Sequence, residues 1–251
     1  MKYKKLFKTK LFKNLRNFLG IRPAHFLIDY EKKNLSVSDA FFWRTDNSFK
    51  TVFKFSNILN LFLKDITSQV EILFYCKNSK LIKKLELENI DISNQIIIDK
   101  LFLNGLEDYG TFYIYHKSNK FPDGSIRNSC YTGYSYKNNL ASFVHGNTLT
   151  SLKSYDGKIS QKFIGGSSFF RNQVYNVQNN YKLGRTEILL MNPCDKTLKV
   201  ELNGENFLLK KGYSKLLEIN SSRMIKIKSK SYLLRPVVFN YRENYLDVHH
   251  G

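Results

Sequence analysis

From residue 36 to its end, this chain is a succession of short apolar stretches broken by Asn, Asp, Gly, Ser or Pro, with no long helical period between them. Turn signals recurring at about 8–12-residue intervals between alternating side chains describe antiparallel strands, not a doubly wound α/β fold. Asp46-Asn47 separates Ser38–Arg44 from Lys50–Phe55, a hairpin pattern. Val70–Tyr75, Leu81–Glu88, Ile96–Ile98 and Thr111–His116 continue it, and Ile58–Phe62 reads as a short helical turn or a loop wall. Tyr213–Ile219, Met224–Lys230 and Tyr232–Tyr241 are further strands, with Asn203-Gly204-Glu205-Asn206 a hairpin turn before them. Pro236, inside the last of these, implies an edge strand or a bulge.

Two pieces of this pattern look alike. Thr186–Met191 and Val70–Tyr75 both carry Glu-Ile-Leu, and each is followed by a turn and then alternating Leu and charge. The step from Glu71 to Glu187 and that from Glu86 to Glu201 differ by one residue. This predicts an antiparallel β-sandwich of two tandem related β subdomains, residues 36–128 and 129–251, preceded by residues 1–35.

Those leading residues are distinctive. Lys2, Lys4, Lys5, Lys8, Lys10, Lys13 and Arg16 occur with no acid before Asp29. At a helical period Phe7, Leu11, Leu15, Phe18 and Leu19 share one side, and Gly20 and Pro23 end the run. An N-terminal amphipathic helix over residues 2–19 follows, with three competing roles: contact with an anionic membrane surface, packing on the β body, or contact with RNA. The net charge of +19, from 40 basic and 21 acidic residues, has two sources as well. Polyanion binding is one; compositional drift toward Lys, Asn, Ile, Phe and Tyr is the other. Motifs of nucleic-acid modules are missing, which makes nucleic acid the weaker partner. Three cysteines make no complete disulfide framework and point to a cytoplasmic location, peripheral at the inner membrane if residues 2–19 bind there.

Chemistry-bearing motifs are few. No Gly-rich phosphate loop and no Gly-x-Ser-x-Gly elbow is present, Gly165-Gly166-Ser167-Ser168 reads as a bend, and no cofactor is implied. Asp39, Asp46, Glu107 and Asp108 fall in turns, where carboxylates serve local backbone groups. The densest polar and aromatic run is Tyr131–Tyr136 with Ala141–Thr148. Arg127, Tyr131, Tyr134, Tyr136, His145 and Asn147 together offer ring faces and hydrogen-bonding groups suited to a sugar-like ligand. His145 is also the candidate acid or base of an alternative reading, an enzyme acting on a glycan or nucleotide sugar, with Tyr134 and Asn147 positioning the substrate. Asp247, His249 and His250, with His145, form a weak metal-ligand candidate.

Ser38–Arg44, Tyr131–Tyr134, Phe143–Asn147 and the closing Asp247–His250 together resemble a group of uncharacterised bacterial proteins that accompany surface-polysaccharide or lipopolysaccharide assembly enzymes. The resemblance covers most of residues 36–250. It implies a glycan context and a ligand-binding or accessory role, and it carries over no reaction.

Overall fold

The computed structural model describes residues 9, 11, 12, 15, 19, 35–118, 125–127, 130–154, 162, 163, 167–178, 185–219, 224–231, 234–243 and 245–251. The first half holds β1 (Leu35–Arg44), β2 (Phe49–Ser56), α1 (Ile58–Leu63), β3 (Gln69–Cys76), β4 (Leu81–Leu87), β5 (Ser93–Ile98) and β6 (Tyr109–Lys117). Next come β7 (Ser125–Arg127), β8 (Tyr131–Tyr136), β9 (Ser142–His145), β10 (Asn147–Ser154), β11 (Lys162–Phe163) and β12 (Gln173–Gln178). The chain closes with β13 (Thr186–Met191), β14 (Leu198–Leu202), β15 (Glu205–Leu209), β16 (Ser214–Ile219), β17 (Met224–Ser229), β18 (Val237–Tyr241) and β19 (Leu246–His250).

These strands form four sheets. Sheet I is β5-β2-β8-β9; sheet II is β11-β10-β1-β6-β3-β4, with β7 on β1; sheet III is β16-β13-β18-β19; sheet IV is β12-β17-β14-β15. Three apolar layers join them in succession. Phe53, Phe55 and Ile98 of sheet I meet Phe41, Ile72, Phe74 and Phe112 of sheet II. Phe42, Leu73 and Tyr113 on the other side of sheet II meet Leu189, Met191 and Phe239 of sheet III. Ile188, Leu190 and Val238 then meet Val200, Ile225 and Ile227 of sheet IV.

The molecule is therefore mostly β, at 58% strand, and antiparallel, but arranged as a four-bladed β-propeller and not as the expected sandwich. The reason lies in the middle sheets. Ile72-Leu73-Phe74, Phe112–Tyr115, Ile188–Met191 and Val237–Phe239 are buried on both faces, so each strand is covered from both sides. A two-sheet sandwich covers one face only.

Internal duplication is overturned with it. In the first half, β3 and β4 pair directly, placing Glu71 opposite Glu86. The matching residues in the second half separate: Glu187 on β13 stands opposite Glu218 and Phe239, while Glu201 belongs to β14 in sheet IV. Similar local sequence thus enters unlike topology. Sheets I and II also each combine strands from both sides of residue 128.

Among the described residues the one helix element with its own bounds is the short α1, capped by the Asn57 side chain, in place of the expected N-terminal helix. Most of residues 2–19 lies outside the described residues; of its apolar side, Leu11, Leu15 and Leu19 are exposed. No helix among the described residues is long and apolar enough to cross a membrane. Pro236 precedes β18, an interior strand between β13 and β19, and extends its ladder only as an acceptor, its carbonyl taking the Gly251 amide at 3.2 Å. The Asn203-Gly204 hairpin stands as read, with φ of 49° and 97° at its two central residues.

Candidate functional site

β8 decides which mid-chain residues meet. Side chains alternate along a strand, so Tyr131, Gly133 and Ser135 share the outward face while Thr132, Tyr134 and Tyr136 turn inward. Tyr134 is buried, donates its hydroxyl to the Phe42 carbonyl at 3.1 Å, and lies edge-on to Phe239. Burial raises its pKa and keeps it neutral. Tyr136 packs edge-on to Tyr241 beside Phe49. Tyr134 belongs to the core, and the half-buried Tyr136 packs against it.

Tyr131 and His145 are brought together on the other face. They are cross-strand neighbours, with ring centroids 4.7 Å apart at 43°. The registers of β5, β2, β8 and β9 extend this pair into two rows. Gln95, Lys54, Tyr131 and His145 stand side by side in the first. Ile97, Val52, Gly133 and Phe143 stand side by side in the second. Tyr131, Phe143 and Ile97 are 46%, 41% and 51% exposed.

Gly133 is required at the centre of this shelf. A Cβ there would come within 2.6 Å of the Phe143 ring, which lies over the glycine instead. Lys54 Nζ sits 5.0 Å from the centre of that ring. The result is a flat aromatic surface edged by an ammonium, an amide and an imidazole. Phe143, Lys54 and Gln95 were not among the expected residues. The signal for Phe143 was its spacing, two residues before His145 on one strand; Lys54 and Gln95 arrive through long-range pairing.

A cavity of about 590 Å³ adjoins the shelf, lined by Ser48, Lys50, Asp99, Lys100, Lys137 and Asn138 among others. Lys50 points the same way as Lys54, four residues along β2, or about 13 Å at strand rise. The rim is two tight turns with left-handed residues, Asn47-Ser48 and Lys137-Asn138, joined by the Lys137 amide donating to the Ser48 carbonyl at 3.2 Å. Within the cavity Lys100 pairs with Glu107 at 2.5 Å, and Asp99 accepts from the Phe102 amide at 2.8 Å.

The remaining expected residues are placed as follows. Arg127 lies on β7, parallel to β1 opposite Val37, and Asn147 on β10 opposite Ala40; their side chains fall outside the description. His250 Nε2 meets the backbone oxygen of His145 at 2.8 Å, and His249 Nδ1 meets the oxygen of His250 at 2.9 Å. Burial, then the charge of Arg235, lowers the His250 pKa, so a neutral ring donates to that carbonyl. Asp247 is reached by the Asn240 amide at 3.4 Å. The C-terminal strand thus fastens to the shelf's edge through the His250 ring, held on the backbone of His145. Among the described residues no group of three or more His, Cys, Asp or Glu is placed to hold a metal ion.

A second polar cluster is internal. Arg44 is fully buried, with Asp46 on its Nε and Nη2 at 3.0 and 2.7 Å and Glu187 on Nη1 at 2.7 Å. Its guanidinium lies 4.0 Å from the centre of Phe49 and 4.7 Å from that of Phe239. Glu187 also accepts from Tyr241 and Arg185, each at 2.5 Å. Burial opposes charge on both partners, yet Asp46 and Glu187 raise the pKa of Arg44 and Arg44 lowers that of Glu187. Both stay ionised. The cluster binds β1 to sheet III and has the make-up of a structural tie.

No family model matches the chain, and no curated protein matches it.

Proposed function

We propose that this protein is a non-catalytic glycan-binding module, accessory to bacterial cell-surface glycan assembly. The observation that carries it is the exposed shelf of Tyr131, His145 and Phe143 around Gly133, with Lys54 and Gln95 at its edge. A pyranose has an apolar face of C–H groups whose positive edge suits the negative face of an aromatic ring, and hydroxyls around its rim for polar neighbours. The shelf offers both in one plane. Its assembly context comes from the resemblance of the motifs alone.

An enzymatic reading is less well supported. His145 is on the outer face and Tyr134 on the inner face of the same sheet, so they do not address one substrate.

Binding of a panel of bacterial surface oligosaccharides, measured by calorimetry on the intact protein, tests the proposal. At least one should bind, and Tyr131→Ala and Phe143→Ala should each weaken it at least about tenfold with an unchanged melting temperature. Absence of binding across the panel, or variants that bind like the parent, would overturn it.

A further inference from the structure

Sheet IV carries a surface that the glycan shelf does not use. Along β17, Lys226 and Lys228 alternate with buried Ile225, Ile227 and Ser229, and Lys230 continues the outward series. On β14, Lys199 and Glu201 face outward between buried Leu198, Val200 and Leu202. Glu201 takes Lys228 at 2.5 Å, offsetting one of these four lysine charges. Interleaved with the cations are Val174, Met224 and Leu208, 47%, 51% and 71% exposed, Leu208 directly opposite Lys199. The face is basic and apolar together.

At one end of it stand two exposed aromatic rings. Phe169 and Phe170 are 55% and 60% exposed, packed edge to face at 5.0 Å. Their loop is fastened to the end of β17: the Ser168 amide donates to the Lys230 carbonyl at 2.7 Å, and the Arg171 amide to Ser168 Oγ at 2.9 Å. Lys230 Nζ donates to the Phe169 carbonyl at 2.6 Å and stands 5.4 Å from its ring. The rings are thus held out beside an ammonium.

We infer that this face, the outward side of β17 and β14 with the Phe169-Phe170 loop, is a docking surface for an anionic lipid bilayer. Phenylalanine has no polar atom to satisfy in water, and an exposed pair of rings gains when it enters the acyl boundary of a membrane. Each lysine near an anionic leaflet adds to the attraction. The charge of the face selects an anionic partner, and its aliphatic members select a lipid over a nucleic acid. Bases stack on open ring faces, whereas these rings meet each other edge to face, and Leu208, Val174 and Met224 offer bases nothing to stack on. This surface stands independently of the glycan shelf.

The test is partitioning of the full chain onto vesicles of phosphatidylcholine alone and of phosphatidylcholine with phosphatidylglycerol, by co-sedimentation. Partitioning should favour the anionic vesicles at least about tenfold and fall with added salt. The double variant Phe169→Ser/Phe170→Ser, and separately Lys199→Glu/Lys226→Glu, should each reduce it about tenfold without changing the melting temperature. In a Phe169→Trp variant, emission should shift to the blue on anionic vesicles, against the constant background of the fully buried Trp43. Equal binding to neutral vesicles, partitioning untouched by the Phe169/Phe170 variant, or an unshifted tryptophan would overturn the inference. So would binding of an oligonucleotide, lost with the same variants, in a chain that ignores vesicles.

Discussion

Arg44 and Glu187 are 143 residues apart in the chain and 2.7 Å apart in space. Their pairing ties the last residue of β1 to β13 across a layer that is otherwise aromatic and aliphatic. Arg44→Met leaves Glu187 in that layer with only the half-exposed Arg185 as its cation, beside the Tyr241 hydroxyl, and a loss of about 3 kcal/mol in urea denaturation is expected. Arg44→Lys should recover little, because one ammonium cannot span Asp46 and Glu187 while stacking on Phe49. Adding Glu187→Gln to Arg44→Met should restore part of the loss. A single variant as stable as the parent would show the tie to be dispensable.

His116 sets a separate pH dependence. Burial pushes its pKa down to about 4 from an ordinary 6.5. The unfolded chain therefore takes the proton first as pH falls. Stability should decline between about pH 6.5 and 4, by up to about 3 kcal/mol, and this contribution should level off below. Glu187 acts lower: its depressed pKa gives stability that is present above its ordinary 4.5 and lost as pH falls through the folded value. Melting curves of His116→Gln against pH should lose the first decline and keep the second.

Gly133→Ala probes the shelf without touching the core. The new Cβ displaces the far end of Phe143, a side chain free to swing outward, so stability should change by less than about 1 kcal/mol. Glycan affinity should fall as the ring leaves its plane. Equal affinity, measured alongside an unchanged melting temperature, would mean that Phe143 does not carry sugar.

Tyr134→Phe is the opposite case. It removes the donor to the buried Phe42 carbonyl, at a cost of about 1–3 kcal/mol, and should leave glycan binding untouched. Altered glycan binding in that variant would place the site on the wrong side of sheet I.

Local features were legible because they depend on neighbours in the chain. Asn203-Gly204 demands a left-handed turn, and Leu85-Glu86-Leu87 alternates as an outer strand should. Even the division of the candidate site was implicit: once Tyr131–Tyr136 is a strand, Tyr131 cannot share a face with Tyr134 and Tyr136. The sheets were harder to read. Runs such as Ile188–Met191 do signal cover on both sides, but nothing local says that Glu187 meets Arg44 while Glu71 meets Lys84 and Lys117. The likeness between Glu71-Ile72-Leu73 and Glu187-Ile188-Leu189 reflects a shared need, a carboxylate buried in a central strand beside a cation, and it imitates ancestry.

The position of β1 has a consequence for how the protein is made. Among the described residues its ladder partners are β6, β7 and β10, none of which starts before Tyr109. A ribosome that has just released Phe41, Phe42 and Trp43 has delivered three large rings on a strand with both edges open. That strand waits for most of the first half to be translated, and its Arg44 waits longer still. Such an intermediate invites pairing between nascent chains on one messenger, so the order of emergence makes this segment the natural client of a holding chaperone during synthesis.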